Sequence, residues 1–167
     1  MKKTRVLLAA VLMFAVLLSL SACKKRTPAT VNQVRNELIE RGFETEPMRP
    51  EDFRRILPDP TAQAVSDGVV FIKYQEGTGR LLGTFAVFQT EDDASRAYDY
   101  TKAEAEADVT GVKTRLANEL PHYEFLRVSA KTVQYTVIRV ENTLLYLDAG
   151  PAFFDEADEI AQNLGYK

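Results

Sequence analysis

The sequence predicts an α+β domain: an antiparallel sheet of about five strands with helices packed mainly on one face. Two observations carry this. Three segments repeat apolar residues at the helical period behind recognisable caps, and short β-branched and aromatic runs are joined by tight turns in hairpin order. A third observation narrows the class. No glycine-rich turn leads from a strand into a helix, which argues against a dinucleotide-binding fold.

The first helix is expected over 31–41. Thr30 and Gln33 make a capping box, Val34 and Leu38 share a face with Val31, and Gly42 ends the run with Phe43 placed for the apolar contact of a Schellman end. A short second helix is expected over 50–56, with Pro50 in its first turn, Glu51 and Asp52 at the positive end of its dipole, and Pro58 stopping it.

From Asp67 the period changes. Residues 69–74 (VVFIKY) and 81–88 (LLGTFAVF) read as a hairpin whose Gly77 and Gly79 supply left-handed backbone. Thr90 then caps a helix ending near Asp108, with Ala94, Ala97, Tyr98, Thr101 and Ala105 inward. A meander follows over 112–116, 123–129, 132–140 and 143–148, turning at Ala130-Lys131 and Glu141-Asn142, where Asn142 is expected to take the left-handed position. Pro151 opens a last helix with Phe153, Ala157, Ile160 and Leu164 inward, closed by Gly165.

Ahead of the domain, Lys2, Lys3 and Arg5 precede an uncharged run of 15 residues (6–20), too short for a spanning helix and followed by Ser21, Ala22, Cys23 and a basic trio. An uncleaved anchor and a plain secretory signal fit the charge and the run. The four letters LSAC (20–23) resemble the lipobox of bacterial lipoproteins. That resemblance implies cleavage between Ala22 and Cys23, a diacylglyceryl group on the Cys23 sulfur, and a chain held at the extracytoplasmic face of the cell membrane by lipid. The organisation is then signal peptide 1–22, lipidated stalk 23–29 and a single domain over 30–167. More than one acyl chain is what makes such anchoring stable, at ~0.8 kcal/mol per buried CH₂. Two further stretches, 30–45 and 135–150 with 155–167, resemble uncharacterised small lipoproteins of Gram-positive type. That family brings no catalytic residue with it.

Composition limits the chemistry. The chain has 167 residues, 21 Lys and Arg against 24 Asp and Glu, and one cysteine. Loss of residues 1–22 removes Lys2, Lys3 and Arg5 and no acid, so the net charge moves from -3 to -6. An acidic domain repels nucleic acid, and no basic stripe offsets this. With Cys23 acylated, no thiol is left for a disulfide, a redox step or a thiolate metal site.

His122 is the single imidazole, so a catalytic triad or a zinc site would have to be built on it; after Pro121 it reads as a solvent-facing loop residue. Asp155, Glu156, Asp158 and Glu159 lack the spacing of a calcium loop and suit the first turns of a helix, as do Glu91, Asp92 and Asp93. Gly77-Thr78-Gly79-Arg80 lies between two strands rather than before a helix, which makes it a turn before it is a phosphate cradle. No pair of carboxylates is singled out by spacing. Catalytic residues, metal ligands and cofactors are therefore not expected.

In the strands both faces are apolar. One meets the helices. The other is either covered as a second small core or presented to the medium as a binding face, for which Phe85, Tyr135 and Tyr146 are the candidates. The function expected is a non-enzymatic lipoprotein that binds an envelope protein or ligand. A carboxylate-based envelope hydrolase and a small-ligand receptor are the alternatives.

Overall fold

The computed structural model describes residues 26–49, 61–77, 79–111 and 114–166. Residues 1–25, with Ala22 and Cys23, and the short helix expected over 50–56 lie outside them.

Helix α1 (Val31–Glu40) starts as its sequence dictates. The Thr30 amide donates to Gln33 Oε1 at 2.8 Å, and the Gln33 amide donates to Thr30 Oγ1 at 3.3 Å. Its end is a Schellman motif: the Phe43 amide donates to the Leu38 carbonyl and the Gly42 amide to that of Ile39, with Gly42 at φ 78°. Strand β1 (Glu44–Pro47) then pairs with β2 (Val65–Gln75), which turns through Gly77 into β3 (Gly79–Phe88). Helix α2 (Glu91–Asp108) follows, capped by the Thr90 hydroxyl on the Asp93 amide, and buries the five residues anticipated for it. Strands β4 (Thr114–Leu120), β5 (Tyr123–Ser129), β6 (Gln134–Val140) and β7 (Thr143–Ala149) form a meander. A 3₁₀ turn (Pro151–Phe153) leads into α3 (Phe154–Asn163), whose Schellman end at Gly165 buries Tyr166 completely.

The strands make one antiparallel sheet in the order β1-β2-β3-β7-β6-β5-β4. It has seven strands, not about five. Of the two edges, β1, four residues long without apolar alternation, has no counterpart among the expected strands, and β4 runs to Leu120 where a strand over 112–116 is expected; it is exposed along its whole length, so neither edge leaves a period-2 burial signal.

Helices lie on both faces, which differs from the expected two-layer arrangement. The core divides into two clusters by strand parity. Val69, Phe71, Leu81, Phe85, Phe125, Ile138, Leu145 and Leu147 pack with Val34 and Leu38 of α1 and with Ala157, Ile160 and Ala161 of α3. Ala86, Phe88, Leu126, Val128, Tyr135, Val137 and Leu144 pack with Ala94, Ala97, Tyr98 and Ala105 of α2. Both sheet faces are apolar because each carries a helical cover.

The β6–β7 turn corrects one further expectation. Its left-handed residue is Glu141, at φ 50°, rather than Asn142. Asn142 instead docks the turn on β3: its Nδ2 donates to the Phe88 carbonyl at 2.8 Å, and its own carbonyl accepts the Phe88 amide. Arg139 Nη1 on the Glu141 carbonyl and the Glu141 amide on the His122 carbonyl hold the strained residue in place.

Candidate functional site

The charged motifs of the sequence are engaged in structural pairs. In α3, Glu156 accepts from Lys73 Nζ at 2.7 Å, Asp158 pairs with Arg127, and Glu159 pairs with Arg41 at 3.1 Å, so the acidic cluster fastens the helix to the sheet and to α1. His122 is 60% exposed, with Nδ1 at 2.9 Å from Glu91 Oε2 in the first turn of α2. Arg80 of the β2–β3 hairpin reaches Asp148 of β7 at 3.8 Å. Among the described residues no three His, Cys, Asp or Glu side chains converge as metal ligands.

The three residues of the expected binding face do not share a face. Phe85 is fully buried in the core under α1 and α3, edge-on to Tyr166 at 6.2 Å, so it presents nothing to the medium. Tyr135 and Tyr146 lie on the opposite face, under α2. There they stack, with ring centroids 6.1 Å apart and planes 17° from parallel.

The stack follows from register. The two-residue turn sets Tyr135 opposite Asp148 and Val137 opposite Tyr146, which makes the two tyrosines diagonal neighbours on one face. Above them run the last two turns of α2, where Thr101, Glu104, Ala105 and Asp108 fall on one stripe. Thr101 and Ala105 are too small to fill the space over the rings. What is left is a cavity of about 200 Å³ bounded by these four residues and both tyrosines. Thr101 returns its hydroxyl to the Ala97 carbonyl at 2.8 Å and lines the cavity as a small side chain.

Electrostatically this pocket is negative. Glu104 and Asp108 line it and Asp148 sits beside it, with Arg80 as the opposing cation. The Tyr135 hydroxyl donates to Asp108, fastening the C-terminal residue of α2 to β6. Burial pushes the Asp148 carboxyl above its ordinary range; Arg80 opposes that shift and Asp108 adds to it. Both tyrosine hydroxyls are pushed up, chiefly by burial, so they stay protonated donors.

A wider, polar groove of about 600 Å³ lies between residues 27–30, α1 and the end of α3. Its central carboxylate, Glu37, accepts from Asn163 Nδ2 at 2.9 Å and from Arg41 Nε at 2.6 Å, and the first of these is the larger cause of its lowered pKa. Of these two concavities, the pocket under α2 is the one with an aromatic wall.

No family model matches the chain, and no curated protein matches it. Two solved structures are similar in outline. A GTP binding regulator from Thermotoga maritima matches with TM-score 0.47 at 10% identity, over 81% of this chain and 84% of the other. The extracellular domain of PknH from Mycobacterium tuberculosis matches with TM-score 0.42 at 12% identity, over 82% and 90%. At such scores neither likeness carries an argument about function.

Proposed function

We propose that the chain is a lipoprotein anchored through Cys23 at the extracytoplasmic face of the cell membrane, and that its domain is a non-enzymatic module binding an envelope partner. Its docking site is the pocket formed by Tyr135 and Tyr146, and the group it takes is a lysine or arginine side chain of that partner. The observation that carries the reading is the stacked tyrosine pair facing a cavity walled by Glu104 and Asp108. Aromatic faces and carboxylates together favour an organic cation, each cation–π contact adding ~0.5–2 kcal/mol as water is excluded. The anchor is supported by the LSAC motif behind a charged start and an apolar run.

Calorimetric titration of the full-length chain in detergent with lysine- and arginine-rich peptides tests the site. Basic peptides bind, more weakly as salt rises, and Tyr146→Ala weakens them by about tenfold, or about 1.4 kcal/mol. Equal affinity for acidic peptides, or an unchanged affinity in Tyr146→Ala, overturns the reading. Palmitate labelling of growing cells, lost in Cys23→Ala, tests the anchor separately.

One observation favours a second reading, the carboxylate hydrolase. Asp108 of α2 and Asp148 of β7 come from different elements to the same place, and burial holds Asp148 towards its protonated form, as a general acid requires. Hydrolysis of envelope glycan that disappears in both Asp108→Asn and Asp148→Asn would favour it over binding.

A further inference from the structure

The sheet ends in two edges that differ in what they permit. β1 is short, closes on Pro47, which has no amide hydrogen to donate, and carries Glu44 and Glu46. β4 is seven residues long, TRLANEL, and every one of its residues is exposed. Among the described residues it pairs with β5 alone. It also holds Leu116 and Leu120, two of the large apolar side chains that stand 46% and 54% exposed.

We propose that β4 pairs antiparallel with the β4 of a second copy, about a two-fold axis through Ala117, so that two sheets become one.

Register leads to this axis. Residues directly opposite in an antiparallel ladder aim their backbone groups alike, so in a self-paired strand only residues of equal parity face each other, and the axis passes through a residue. An axis at Ala117 is the choice that pairs the full strand, Thr114 with Leu120, Arg115 with Glu119 and Leu116 with Asn118 of the second copy. Moving the axis to Leu116 or Asn118 shortens the ladder and sets Arg115 or Glu119 against Ala117.

Charge and apolar surface then complete themselves on opposite faces. Arg115 already pairs with Glu106 of α2 at 2.5 Å, and Glu119 with Lys102 of α2, which places all four on the α2 face. Two-fold pairing extends each into an alternating row: Glu106, Arg115, then Glu119 and Lys102 of the second copy. On the other face, Leu120, Leu116 and the same two residues of the second copy are diagonal neighbours in sequence across the axis, a separation long side chains bridge. The same operation on β1 would set Glu44 against Glu46 and repel.

The axis is normal to the sheet, so the α1 and α3 face of both copies looks the same way. Arg26 lies over the Tyr123 ring on that face, 3.9 Å from its centroid, so the Arg26 residues of both copies lie on one side of the joined sheet. That compatibility with a bilayer rests on the proposed anchor. The pairing does not.

Cysteine scanning of the full-length chain in membranes tests the register. Across the axis the two Ala117 Cα atoms lie about 4.5 to 5.5 Å apart, within disulfide reach, whereas the two Glu119 positions are separated by about four strand residues. Ala117→Cys therefore crosslinks on mild oxidation, at least fivefold above both Glu119→Cys and the unsubstituted chain with Cys23 alone. In the Ala117→Cys background, Arg115→Glu and Glu119→Arg each lower the yield by fivefold or more, and the double swap restores it. Restoration distinguishes the two origins of the charge effect, because the swap leaves Glu106 and Lys102 facing like charges within each copy. Crosslinking of Ala117→Cys no higher than the unsubstituted chain, an equal yield at Glu119→Cys, or a swap as defective as the single reversals overturns the proposal. The substituted sites are exposed, and coincident thermal unfolding of the variants guards against loss of fold.

Discussion

Asp148 shows how one buried carboxyl ties stability to pH. Its side chain is 20% exposed on β7, beside the tyrosine stack, and the exposed end of Arg80 stands 3.8 Å away. Burial raises its pKa in the folded state. For an acid so raised, the unfolded chain releases its proton first, so the favourable contribution is full below the ordinary carboxylate range and is lost as pH climbs through the folded pKa. Asp148→Asn removes this liability while keeping the shape. The variant melts higher than the parent at pH 7, and the gap closes towards pH 3; a lower melting temperature at pH 7 would show that the Arg80 pair outweighs the burial. Glu37 runs the other way, since hydrogen bonds from Asn163 and then Arg41 lower its pKa, and its contribution is lost as pH falls. Of the pocket residues, Thr101, Ala105, Asp108, Tyr135 and Tyr146 were legible singly in the sequence and Glu104 was not, and Tyr135 with Tyr146 could be paired from the two-residue turn alone. Phe85 could not be assigned to a face before the β3–β7 register was known, because Phe85 opposite Leu145 settles its parity.

At the scale of elements, local signals were legible and edges were not. The capping box of α1, the Thr90 cap of α2 and both glycine-closed helix ends depend on residues within a few positions of each other, which is why sequence alone placed them. β1 depends on a neighbour farther along the chain and β4, although it pairs with the next strand, is exposed throughout, so neither carries a burial pattern. The end of the sheet where β4 turns into β5 is fastened by one side chain. Arg139 of β6 is buried, and it donates to the Pro121 carbonyl at 2.8 Å, to the Glu141 carbonyl at 3.0 Å, and to the carboxylate of Glu124 on β5. Two turns and two strands therefore share one guanidinium. Truncation leaves Glu124, 15% exposed, without its main partner, and such a loss costs about 3 to 5 kcal/mol. Denaturant unfolding of Arg139→Ala at neutral pH reads this cost, and Arg139→Lys recovers little, because an ammonium cannot span three diverging acceptors. A loss below about 1 kcal/mol would mean that water reaches Glu124 readily.

For the whole molecule the question is whether two meanders make one folding unit. β1–β3 and β4–β7 meet in a single ladder, β3 on β7, and a sequence of hairpins says nothing of that join. The helices decide it. α2 packs across β3 from the first meander and β5, β6 and β7 from the second, while the cluster under α1 and α3 draws Phe71 and Phe85 together with Phe125, Ile138 and Leu147. Neither half keeps a closed core without the other, so unfolding is a single transition. Gly83 tests this, since it lies on the join in β3, directly opposite Phe71 on β2 and Leu147 on β7. A methyl group there would stand 2.2 Å from Phe71 Cζ and 2.9 Å from the Tyr146 carbonyl, and Phe71, 1% exposed, has nowhere to move. Overpacking of this kind costs about 1 to 3 kcal/mol or more. Gly83→Ala is then expected to lower the midpoint seen by far-ultraviolet circular dichroism and by tyrosine fluorescence equally, because Tyr123 and Tyr135 of the second meander report the same event. Separate midpoints, with the second meander unmoved, would show that β4–β7 with α2 stands alone, and the shared core would then be a contact between two units rather than the basis of one.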